Sequence, residues 1–136
     1  MIVLRKINIL LTLVIWVIAE GMYLITRSVI TKDLKKKEGA YGFCHITDDD
    51  MDNPREFHIE IDTSMKHSIQ EILTCIAHEM THLKQFVKGE LYDREDGSVQ
   101  WKSKRYIRKL KYDDMPWEKE AYRLENKLFK ELRNEY

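Results

Sequence analysis

The chain has 136 residues, 43% of them hydrophobic, and its 23 basic and 23 acidic residues cancel. That length gives one domain, or one small domain with an N-terminal segment, and the balanced charge leaves no overall field that would draw in nucleic acid. Two cysteines, Cys44 and Cys75, are too few for a disulfide framework.

An apolar run, Ile9 to Ala19, follows Arg5 and Lys6, and three readings compete for residues 1–26. As a signal peptide the segment has a basic start, an apolar middle and a cleavage point after Val17-Ile18-Ala19. As a membrane anchor it runs from Ile7 to Ile25, close to the ~20 residues a bilayer needs, but it then includes Asn8, Glu20 and Gly21. As a core helix it carries a thin polar stripe, Asn8, Thr12 and Glu20, at multiples of four. The brevity of the uninterrupted run favours a core helix and a cytoplasmic chain over membrane association, and all three readings stay open. Residues 27–136 form the main domain.

Met22 to Leu34 mixes β-branched and polar residues and predicts a strand, followed by a charged turn at Lys35 to Gly39. A β-hairpin is expected next, with arms Tyr41 to Thr47 and Arg55 to Ile61 around DDDMDNP. A symmetric turn puts Cys44 and Ile46 on a core face with Phe57, Ile59 and Ile61. Phe43, His45, Thr47, Glu56, His58 and Glu60 then face solvent. His45 stands opposite His58 in that register, without a third ligand to make a metal site.

Ser68 to Gly89 reads as one amphipathic helix with both ends marked. Ser68 and Glu71 make a capping box, and Gly89 tolerates the left-handed backbone past the end. Ile69, Ile72, Leu73, Ile76, Met80, Leu83 and Val87 recur at helical spacing. On the other face lies the pattern H-E-x-x-H: His78, Glu79, His82. Side chains four apart point the same way, so two imidazoles can reach one zinc ion. Glu79 is rotated by about 100°, poorly placed as a ligand but able to take a proton from a water that the metal acidifies. Chance should produce the pattern in on the order of one in a few hundred chains of this length. Cys75, one turn before His78, reads as a buried thiol rather than a ligand.

After Gly89 the chain turns polar. Asp96-Gly97 marks a turn, and Val99 to Lys104 with Arg105 to Tyr112 reads as a short hairpin or irregular loop. Trp101 and Tyr106 either wall a cleft or fill space beside the central helix. A second helix starts at Pro116, with Trp117, Ala121, Leu124, Leu128 and Leu132 as its apolar stripe. Glu118 and Glu120 flank that stripe symmetrically, so the helical wheel leaves both open as a third ligand.

With those residues in view, the chain resembles the gluzincin branch of zinc metallopeptidases, and more closely small zincin-like proteins of phages and other viruses, SprT-like in style. The matching segments are Gly39–Cys44, Asn53–Asp62, Ala77–Leu91, Trp101–Tyr106 and Pro116–Tyr122, within about Lys35 to Glu125. The resemblance implies an α+β minimal zincin-like domain, a small mainly antiparallel sheet packed on the H-E-x-x-H helix plus a C-terminal helix. It also implies zinc held by His78, His82 and Glu118, since E-x-x-A places Glu118 at the third ligand and Ala121 at the small position. Glu79 is then the catalytic base, and a peptide or protein substrate adds as a strand to the sheet edge. Tyr106, Tyr112 and Tyr122 are candidate donors to the oxyanion. Where the thermolysin-type pattern has an aspartate that orients a histidine, this chain has Tyr122, so that partner must come from elsewhere. Manganese and cobalt accept the same ligands. Two other classes stand beside the enzyme: a zinc-binding regulatory or interaction protein with little turnover, and a membrane-tethered accessory protein anchored through residues 7–25.

Overall fold

The computed structural model describes residues 25–31, 41–62, 68–107 and 110–134. The apolar stretch at 1–24, with its core, anchor and signal readings, lies outside them. Among the described residues no helix is long and apolar enough to cross a membrane.

Three strands form the first sheet in the order β1-β3-β2. β1 (Ile25–Thr31) lies inside the predicted strand region and pairs parallel to β3 (Glu56–Asp62), while β2 (Gly42–Ile46) pairs antiparallel to β3. The hairpin has the expected register: Cys44 faces Ile59, His45 faces His58, and Ile46 faces Phe57. Its turn is held by Asp48, whose carboxylate accepts from the backbone N–H groups of Asp50 and Glu56 at 2.8 and 2.9 Å. The opposite face departs from the solvated expectation at one point. Nε2 of His58 is buried and has no hydrogen-bond partner among the described residues. His45 stays exposed, 3.6 Å from the Glu60 carboxylate, and among the described residues no third ligand joins the pair.

Helix α1 (Ile69–Val87) has both predicted caps. Ser68 Oγ accepts from the Glu71 N–H at 3.2 Å, and the Glu71 carboxylate accepts from the Ser68 N–H at 2.6 Å. At the other end Gly89 has φ +65, and the N–H groups of Gly89 and Glu90 reach back to the carbonyls of Phe86 and Gln85. These are the two bonds of a Schellman ending, which satisfy carbonyls the helix leaves open. Helix α2 spans Pro116–Asn134, with Pro116 as its first residue.

Between the helices lies a second sheet, β4 (Leu91–Asp93), β5 (Val99–Trp101) and β6 (Lys104–Tyr106), in the order β4-β5-β6 and antiparallel throughout. The β5–β6 turn is only Lys102 and Ser103, with Lys102 at φ 53. Among the described residues the architecture is therefore α+β, with two small sheets, two long helices and β1 as the one parallel strand.

Helix α1 is the middle layer. Phe57, Ile59 and Ile61 of β3 pack on Ala77, Met80, Leu83 and Val87. The other side of α1 buries Thr81 and Gln85 completely and meets α2, whose Ala121 is also fully buried. A small residue at that crossing lets the helices approach closely. Trp101 and Tyr106 do not wall a cleft: with Trp117 they fill a second apolar cluster around Leu91 and Val99.

Candidate metal centre

Helix geometry brings His78 and His82 to one side of α1, one turn apart, with ring centroids 4.8 Å apart. Glu118, in the first turn of α2, comes up against both. Its Oε2 lies 3.0 Å from His78 Nε2 and 3.3 Å from His82 Nε2, and the two Nε2 atoms are 3.2 Å apart. Among the described residues this is the one group of three His, Cys, Asp or Glu side chains that can hold a metal ion.

The remaining ring nitrogens decide what the cluster needs. Nδ1 of His78 is 2.8 Å from Glu125 Oε2, and Nδ1 of His82 is 2.9 Å from Gln85 Oε1. Both partners are acceptors, since Gln85 uses its amide N–H groups on the Trp117 carbonyl and the Glu120 carboxylate, each at 3.0 Å. Each Nδ1 therefore carries its proton, and in the neutral rings both Nε2 lone pairs point at the Glu118 oxygen. Three lone pairs within 3.3 Å of one another, largely buried, repel unless a cation sits among them. These second partners also fix the tautomer and ring orientation that metal ligands require.

Protons feel the same demand. Burial alone would lower the His78 pKa, but the hydrogen bonds to Glu118 and Glu125 outweigh it and raise it to about 9. Burial would raise that of Glu118, yet His78 and His82 hold it down to about 2. These are one interaction seen from two ends and count once. A raised folded pKa gives stability that is complete below the ordinary 6.5 of histidine and is lost as pH climbs through about 9. A depressed carboxylate gives stability that is complete above 4.5 and is lost as pH falls through about 2. The metal-free chain should thus be most stable between pH 4.5 and 6.5 and lose roughly 2–4 kcal/mol on the alkaline side, at ~1.4 kcal/mol per pKa unit. Urea unfolding in chelator across that range measures it. A metal-loaded chain should show no such alkaline loss, because the metal takes the proton's place.

Glu79 sits beside this cluster, only 6% exposed, and burial raises its pKa above the usual carboxylate range. Gly42, at the start of β2, makes room for it. A Cβ on Gly42 would stand 2.8 Å from Glu79 Oε1 and 2.7 Å from Cys75 Sγ, so any side chain there pushes on the carboxylate. A cleft of about 1130 Å³ opens in front of Glu79 and His78, between the start of β2, the first half of α1 and Tyr112 and Tyr122. Tyr106 is not at this cleft. Cys75 is, but burial and then the charges of Glu79 and Glu125 push its thiol up to about 12, which keeps it protonated rather than a ligand.

Glu120 is tied elsewhere, with Lys84 Nζ at 3.5 Å, Lys102 Nζ at 3.8 Å and the Gln85 amide at 3.0 Å. Of the two glutamates the wheel leaves open, only Glu118 reaches the histidines. Glu125 and Gln85 have no place in the sequence reading, though a signal for each exists. Glu125 lies seven residues after Glu118 and four after Ala121, on the same stripe, and Gln85 lies three after His82. The chain matches no protein-family model, no curated protein and no solved structure.

Proposed function

We propose that this chain is a zinc-dependent metallopeptidase of minimal zincin-like form, with His78, His82 and Glu118 as ligands and Glu79 as general base. The observation that carries the reading is the set of three converging lone-pair donors, none more than 3.3 Å from the next, with a buried carboxylate beside them at the mouth of a cleft. A catalytic rather than structural centre agrees with histidine and carboxylate ligands in place of thiolates. Zinc held there supplies Lewis acidity, which lowers the pKa of a water and polarises a carbonyl.

The protein groups do the rest. Glu79, its basicity raised by burial, takes a proton from the attacking water and later delivers it to the leaving amine. Glu125 and Gln85 keep the imidazoles aimed. Strand β2 is an edge among the described strands. Tyr41 and Thr47 bond to β3, so the alternation of the ladder turns the N–H and C=O groups of Gly42, Cys44 and Ile46 outward. An extended peptide that adds there runs past Glu79, and this is the substrate mode the geometry favours.

The test is cleavage of an unfolded casein-like substrate by the full chain, abolished by chelator and restored by zinc. Failure to cleave any member of a broad peptide library while zinc is bound would move the reading to a zinc-binding interaction protein.

A further inference from the structure

We infer that the phenol of Tyr112 is a fourth protein ligand of this centre, closing it toward the cleft until substrate displaces it. The inference rests on the three-ligand reading above and on no assumption of turnover. Tyr112 belongs to the short 3-10 turn Tyr112–Asp114 just ahead of α2, an element that carries none of the other ligands. Its hydroxyl lies near enough to the Glu118 carboxylate to feel its charge and is 3.5 Å from His78 Nε2.

That distance argues against a hydrogen bond from the phenol to His78. Hydrogen bonds from a hydroxyl are best near ~2.8 Å, and at 3.5 Å little is left of one. Four ligands placed tetrahedrally at ~2.0–2.1 Å from zinc are instead about 3.3–3.4 Å from each other. The edges among His78, His82 and Glu118 are 3.0, 3.2 and 3.3 Å, and the edge from the phenol to His78 is 3.5 Å. The phenol thus stands at about a ligand–ligand spacing from His78, on the cleft side of the cluster.

The surroundings fit a ligand that can leave. Tyr112 and His78 line the cleft, whereas His82 and Glu118 do not, so the phenol stands on the side from which substrate comes. Half of the Tyr112 surface is exposed, which leaves its ring room to swing out. Tyr122 braces it, with its ring edge-on to those of both His78 and Tyr112. Bound to a metal, the phenol would give up its O–H proton to solvent water; displaced by substrate, it would take a proton back from solvent and would then be a donor for the oxyanion.

Copper(II) tests this, because it binds nitrogen and oxygen sites more tightly than zinc, and a phenolate on copper(II) gives a visible charge-transfer band that imidazole and carboxylate lack. The full chain with one copper bound should show the band. Tyr112→Phe should lose it while still binding one copper, and Tyr122→Phe should keep it. A copper-bound wild type without the band overturns the inference, as does a Tyr112→Phe chain that retains it. A chain that binds no metal overturns it together with the three-ligand reading. A band in a chain whose zinc-bound form cleaves no member of a broad peptide library sinks the peptidase reading and leaves this one standing.

Discussion

Glu79→Gln is expected to lower kcat for peptide hydrolysis by about a hundred- to ten-thousandfold, the usual worth of a positioned general base, while one zinc stays bound per chain. The substitution keeps the side chain's shape, so the tight fit against Gly42 and Cys75 survives. What it removes is basicity, since an amide oxygen cannot hold the proton taken from water. Zinc affinity should hardly change, because the ligands and the partners on their far nitrogens are untouched. Metal analysis beside casein-like turnover measures both. Hydrolysis by the Gln variant at the wild-type rate would remove Glu79 from the mechanism.

What could be read from the sequence followed the range of each interaction. The α1 caps depend on residues three or four apart and were legible to the residue. The hairpin register was legible because a period of two and a symmetric turn leave only one way to bury Cys44, Ile46, Phe57, Ile59 and Ile61 together. Pairing of β1 with β3 was not, as nothing local tells a strand that its neighbour lies some thirty residues away in parallel. Nor was the β5–β6 turn, where a lysine rather than glycine takes the left-handed conformation. Strand β4 is three residues long in a polar stretch and gave no period to detect.

The candidate site divides in the same way. His78, Glu79 and His82 are a local pattern on one helix. The choice between Glu118 and Glu120 depends on where α2 meets α1, and a helical wheel has no knowledge of that meeting. The structure separates them through partners on other elements: Lys84, Gln85 and Lys102 for Glu120, the two histidines for Glu118. Glu125 depends on the same meeting of helices: only there does it become 9% exposed and pair with His78.

Glu118→Ala should cost more than about 100-fold in zinc affinity, since loss of a mere second-layer partner of a ligand already costs 10–100-fold. Two histidines would remain, with an unfilled ligand position and one negative charge fewer to offset the metal. Glu120→Ala should keep one zinc per chain and lose stability instead, on the order of 1–3 kcal/mol, because the buried Gln85 amide and the Lys84 ammonium each lose an acceptor. Part of that loss should reach the centre indirectly: Gln85 also holds His82, so a loosened amide permits its ring to turn and weakens zinc binding modestly. Zinc titration and urea unfolding of both variants separate the two roles. Loss of zinc in Glu120→Ala with retention in Glu118→Ala would reverse the ligand assignment, and with it the packing of α2 on α1 that positions it.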